Sequence, residues 1–198
     1  ILGIKGKSGS GKSTFLNLIS GLIKPTSGGI YIDEKDISEN INGWKRKIGF
    51  VSQSVFLLDD TIKNNIAFGI ENDFIDEKLL NKSIHLSGLD EYINSLDSRE
   101  MTFVGERGLK ISGGQKQRIG IARAIYNDLD IIILDESTNA LDHDTEAEIM
   151  KNIYNLPNKK TTITISHSKN ALLTCDRIIE FRKGKIYKIT SKEEFTTN

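Results

Sequence analysis

The sequence predicts an α/β fold, a layered parallel sheet with a helical segment inserted into it, and three observations carry that reading. Short β-branched apolar runs alternate with segments whose apolar residues recur at helical spacing. Crossovers of about a dozen residues or more separate most of the runs, the spacing parallel neighbours require. Between residues 54 and 127 the strand-like runs give out and helical spacing takes over. The expected division is therefore a sheet core over 1–53 and 128–190 with a helical subdomain over 54–127, all within one 198-residue domain.

Taken in order, Ile1 to Lys5 reads as a strand feeding a glycine-rich loop. "KSTFLNLISGL" then sets Phe15, Leu16, Leu18, Ile19 and Leu22 largely on one helical face, with Gly21 and Pro25 ending it. "GGIYIDEKDI" and "KIGFVSQ" are the next strands. "TIKNNIAFG" and "DEKLLNKSIHLSGLDEYINSL" are helical, as is the segment running to Tyr126. The strand "DIIILDE", the helix "DHDTEAEIMKNIYNL" and the strand "TTITISH" repeat the alternation, and "DRIIEFRKGKIYKI" forms a strand pair about Gly184.

Composition narrows the function. Lys+Arg and Asp+Glu balance at 27 each, so no global field favours nucleic acid. Cys175 is the single cysteine, which rules out an internal disulfide and a multi-cysteine metal centre and favours a reducing compartment. The longest apolar run, Ile131 to Leu134, is far too short to cross a bilayer, so the chain is expected to be soluble. It opens at Ile1 inside a strand, which suggests a fragment of a longer protein.

"GKSGSGKST" fits G-x-x-x-x-G-K-[ST] in its strand–loop–helix setting. Gly6, Ser8, Gly9, Gly11, Lys12, Ser13 and Thr14 are the expected nucleotide contacts. Glycines let backbone N–H groups converge on phosphate oxygens, the helix start adds its dipole, Lys12 brings a point charge, and the Ser13 hydroxyl can ligate Mg²⁺. A glycine-rich turn could merely cap a helix, but the complete motif in this setting argues for phosphate. At the end of "IIILDE", Asp135 is placed to hold Mg²⁺ through its water shell and Glu136, pointing differently, to act as general base on the attacking water.

A second anion seat lies about a hundred residues later. Ser112 is a natural N-cap for the helix "GGQKQRIGIARAIY", opened by Gly113 and Gly114 and followed by Gln115. With these motifs in this order the sequence resembles the ATP-binding cassette family over nearly its whole length, "ISGGQ" being similar to its signature loop. The resemblance implies a P-loop NTPase (RecA-like) core with an inserted helical signature subdomain, ATP and Mg²⁺ as cofactors, and a head-to-tail dimer with a second cassette. In it, Ser112, Gly113, Gly114 and Gln115 close over the partner's ATP. It further implies that Gln53 is the glutamine that senses Mg²⁺ and water, a metal contact with Ser13 and Asp135, that His167 is the switch histidine, and that "STNALD" crosses to the partner. His85, His143 and Trp44 have no such context and read as solvated or packing residues.

The chain departs from the family pattern at Ser52, Ser137 and Asn139, which touches subunit communication, and it lacks the upstream aromatic that stacks on adenine. "TFVGERG", Thr102 to Gly108, resembles the exporter segment that meets transmembrane coupling helices. The implied protein is an ATP-hydrolysing cassette at the cytoplasmic face of a bacterial inner membrane. It powers export or flipping of a substrate through a transmembrane domain fused on its N-terminal side, with no nucleic acid partner. The alternatives are a non-transport cassette ATPase, including a DNA-associated one, and an ATP-gated dimerisation module without turnover.

Overall fold

The structure, a computed structural model, describes residues 1–108, 110–138, 140–157 and 160–196. The expectation for Asn139 lies outside the described residues, as does that for the side chain of His143. In chain order the elements are β1 (Leu2–Gly6), α1 (Lys12–Ile19), β2 (Tyr31–Ile32), β3 (Lys35–Asp36), α2 (Ile41–Lys45) and β4 (Ile48–Val51). Next come α3 (Ile62–Ile66), α4 (Glu77–Leu86), α5 (Asp90–Asn94), α6 (Gly113–Tyr126), β5 (Ile131–Asp135) and α7 (His143–Tyr154). The chain ends with β6 (Thr161–Ile165), α8 (Lys169–Leu173), β7 (Arg177–Arg182), β8 (Lys185–Ser191) and α9 (Lys192–Thr196). No described helix is long and apolar enough to cross a membrane.

Two compact units result: Ile1–Phe50 with Leu129–Glu136 and Thr161–Asn198, and Val51–Asp128 with Ser137–Lys160. The first holds a sheet of order β4-β5-β6-β1-β7-β8. β1 runs parallel to both β6 and β7, with Leu2 opposite Ile163 on one side and Arg177 on the other. Buried on two faces, such strands read as near-continuous apolar runs. Ile4, Ile133, Ile165, Ile179 and Phe181 meet Leu16 of α1 in one apolar cluster. A tight hairpin through Lys183 and Gly184, both at positive φ (49° and 74°), turns β7 back into antiparallel β8, as two-residue hairpins prefer. The indole of Trp44 is anchored to the end of α1, its Nε1 donating to Ile19 O at 2.7 Å.

"GGIYIDEKDI", expected as a single strand, folds instead into a small hairpin. Asp33 and Glu34 take positive φ (49° and 66°) and set Tyr31 opposite Asp36.

The second unit is helical around Leu57, Ile62, Ile66, Leu80, Leu89, Val104, Ile119 and Ala122. It also contains Ser137–Lys160, a segment the sequence places with the sheet. The cause is packing: Asn152 Nδ2 of α7 donates to Leu86 O at 3.2 Å, and Ile149 lies against Gly88, so α7 joins α4. Buried Asn65 uses its amide fully. It donates to Leu58 O and Thr61 O and accepts from Leu58 N–H and Arg123, which fixes the loop before α3 onto α6.

Candidate nucleotide site

β1 delivers the chain into the loop at Gly6. That residue sits at φ 156°, and an added Cβ would meet Phe181 O and Ser10 Oγ, each at 2.6 Å, so no other residue fits. Gly11, at φ 103°, begins α1 with no side-chain cap and no acidic residue in the first turn. The helix therefore keeps unsatisfied N–H donors and an uncompensated positive end, the requirements of an anion seat. Ser13 and Thr14 stand exposed on that first turn. Buried Lys12 folds back over the loop, its Nζ donating to Gly6 O at 2.9 Å and Lys7 O at 3.3 Å. Two of the ammonium's three donors hold the loop closed on itself while its charge stays at the loop's centre.

The hairpin between β7 and β8 braces this loop, Gly184 N–H donating to Ser10 O at 2.9 Å. Gly6 to Ser10 and Glu180 to Lys183 line a cavity of about 570 Å³ there. Ser10 Oγ is buried in the loop with no hydrogen-bond partner among the described residues. An orphan hydroxyl, a glycine-lined cradle and a held ammonium together suit a polyphosphate.

Asp135 ends β5, and Glu136 follows at φ 48°, a conformation uncommon for a non-glycine residue. The change of direction separates the two carboxylates. Burial raises the Asp135 carboxyl above its ordinary range and neighbouring Glu136 adds to this, while the Lys12 charge and a hydrogen bond from Ser13 pull it back. Glu136 Oε1 instead lies 3.1 Å from His167 Nε2. Parallel pairing explains the meeting: Asp135 registers with Ile165, so the residues just past β5 and β6 emerge side by side.

Ser13 and Asp135 are hard oxygen donors that face each other, which suits Mg²⁺ bound through one carboxylate, a hydroxyl and phosphate oxygens. Among the described residues there is no group of three or more His, Cys, Asp or Glu that could hold a metal ion.

Ser112 caps α6, its Oγ accepting from Gln115 N–H at 3.2 Å while Gln115 Oε1 accepts from Ser112 N–H at 2.9 Å. This capping box fixes the geometry of the exposed residues Ser112 and Gly113. The serine–glutamine spacing that announces it is present in the sequence. Lys12, Ser13, Asp135, Glu136 and His167 thus share the first unit, whereas exposed Gln53 and Ser112 to Gln115 belong to the second. Sequence reasoning also missed Gln117, whose Oε1 accepts from Ala140 N–H at 3.0 Å, because one glutamine inside a helix carries no pattern.

A family model described as "ABC transporter" matches residues 1–139. The chain is 41% identical over 194 residues to an "ATP-dependent lipid A-core flippase" of Desulfotalea psychrophila, covering 98% of this chain and 34% of that protein. It is 37% identical over 187 residues to a "Multidrug resistance ABC transporter ATP-binding and permease protein" of Lactococcus lactis, covering 94% of this chain and 32% of the relative. A bacterial Atm1-family ABC exporter, solved with ATP bound, superposes with a TM-score of 0.92 at 33% identity over 99% of this chain and 34% of that one. The chain therefore spans about a third of the length of these relatives.

Proposed function

The chain belongs to the ABC transporter family, and from that premise we propose that it is the ATP-binding and ATP-hydrolysing cassette of an exporter. One observation carries the reading: Ser13 and Lys12 of the phosphate loop act on Asp135 at the end of β5, while the adjacent Glu136 turns toward His167. Phosphate binding and water activation then have separate groups within one unit. The loop's backbone N–H groups, Ser10 Oγ and Lys12 hold the phosphates, and Lys12 leaves Gly6 O and Lys7 O for phosphate oxygens. Glu136 accepts the proton of the attacking water, and His167, hydrogen-bonded to it, keeps the carboxylate aimed. Ser13 and Asp135 would hold Mg²⁺, whose charge would neutralise that of the phosphates, and Gln53 is the residue to which the family resemblance gives the sensing of that ion.

The exposed first turn of α6 is the second seat, completed by another copy or a second cassette, which makes ATP part of the interface. The names of the relatives support export through a fused permease, and so do the exposed Phe56, Phe68, Met101 and Phe103 on the helical unit, an apolar surface suited to a transmembrane partner at the cytoplasmic face of a membrane. A non-hydrolysing dimerisation module has no use for a carboxylate placed as Glu136 is. The test is ATP turnover by the full-length protein in vesicles. Hydrolysis that requires Mg²⁺ and drives substrate movement supports the proposal, and tight ATP binding with no phosphate release returns the module reading.

A further inference from the structure

We propose that α6 holds Ala140 by its N–H, and that Gln117 is the positioning residue that makes the second phosphate seat and the loop before α7 move as one body. This rests on the reading of Ser112 to Gly114 as a seat for a partner's nucleotide.

Gln117 is buried in α6, and its Oε1 accepts the Ala140 N–H at 3.0 Å. Ala140 O approaches the same helix one turn earlier. A Cβ added to Gly114 would stand 3.1 Å from that oxygen and 3.5 Å from Leu141 Cδ2, tighter than ordinary contact on the backbone side. Gly114 thus leaves room for Ala140 to lie against the start of the helix. From the other side, Thr138 Oγ1 donates to Glu146 Oε1 of α7 at 2.7 Å, and Asp142 caps α7 by accepting from Thr145 N–H at 2.9 Å. Among the described residues the loop is therefore held at Thr138, Ala140 and Asp142, and the hydrogen bond at Ala140 runs to α6. A displacement of Ser112 is passed to the loop through Gln117, and the reverse holds equally.

The experiment compares Gln117→Met, which keeps volume but cannot take the bond through a carbonyl oxygen, with Gln117→Glu, which keeps an oxygen acceptor. Gln117→Leu serves as a second apolar replacement should Gln117→Met fail to fold. In the full-length protein Gln117→Met is expected to speed amide exchange at Ala140 about tenfold and to lower kcat about tenfold. ATP affinity of the phosphate loop should stay within about twofold, and Gln117→Glu should restore both quantities to within about threefold of wild type. Unchanged exchange in Gln117→Met, or identical behaviour of the Met and Glu variants, overturns the clamp. Faster exchange with unaltered kcat overturns its part in turnover. Absence of turnover in the wild type counts against the ATPase reading instead, and the exchange data still decide the clamp.

Discussion

His167 Nε2 lies 3.1 Å from Glu136 Oε1, which places an imidazole and a carboxylate in contact at the ends of two neighbouring parallel strands. The contact gives the carboxylate a fixed orientation. On the proposed reading such a carboxylate would need no rearrangement to take the proton of an attacking water, which is the advantage of a preorganised site.

Glu136→Gln keeps the shape and the bond to His167 but cannot take a proton. It is expected to lower ATP turnover by at least about a hundredfold while ATP affinity remains within about threefold. Phosphate release and equilibrium nucleotide binding, measured on the same preparation, check this. Turnover within about threefold of wild type removes Glu136 from the role of base.

Lys12→Ala takes away both the charge at the loop's centre and the two bonds to Gly6 O and Lys7 O. ATP affinity is expected to fall at least about tenfold, because the ammonium acts on bound ATP as well as on the transition state. Calorimetry that finds an unaltered affinity contradicts the assignment of the loop.

Asp135 carries a pH dependence whose sign is fixed by burial. Its carboxyl is raised from 3.8, so the folded chain holds that proton more tightly than the unfolded chain. The corresponding stability is complete below the ordinary value and is lost as pH rises through the raised one. Nucleotide-free Asp135→Asn should therefore be at least as stable as wild type near pH 7, with its relative advantage vanishing by about pH 3 to 4. Its turnover should be lost. Parallel stability-against-pH curves for the two proteins sink the assignment.

Ser112 separates folding from function. Ser112→Ala removes the cap of α6 and is expected to cost about 1 kcal/mol, read as a lower midpoint in denaturant. Ser112→Arg places bulk in the second seat and is expected to block ATP-dependent closure of the full-length protein. Cysteines in the two facing loops report closure, and cross-linking that persists in Ser112→Arg shows that the seat does not act in trans.

The large elements and the phosphate loop were legible in the sequence because long periodic stretches and a complete spaced motif both leave local signals. The five-residue helices α2, α8 and α9 were not, since barely more than one turn shows no periodicity, whereas the equally short α3 and α5 lie within longer segments of helical spacing. The turn at Asp33 and Glu34 escaped because neither residue is a glycine. The grouping of α7 with α4 depends on Asn152 reaching Leu86, a contact across 66 positions that no window of sequence contains. In the site, Lys12, Asp135 and Glu136 announced themselves through motif and position. The Gln117 bond and the left-handed backbone of Glu136 are tertiary facts with no local signature.

The sheet order carries a consequence for how the protein is made. β1 is synthesised well before β6 and β7, yet it lies between them, and its loop is braced by Gly184. During synthesis the phosphate loop must wait, its feeding strand without either neighbour, until β6 and the β7–β8 hairpin have left the ribosome. Ordering of the loop thus follows its own synthesis by a long stretch of chain, as expected where pairing is between distant strands. Ribosome-bound chains stalled just before β7 and just after β8 should accordingly differ sharply in nucleotide retention. ATP would then act as a late check that the C-terminal hairpin has arrived.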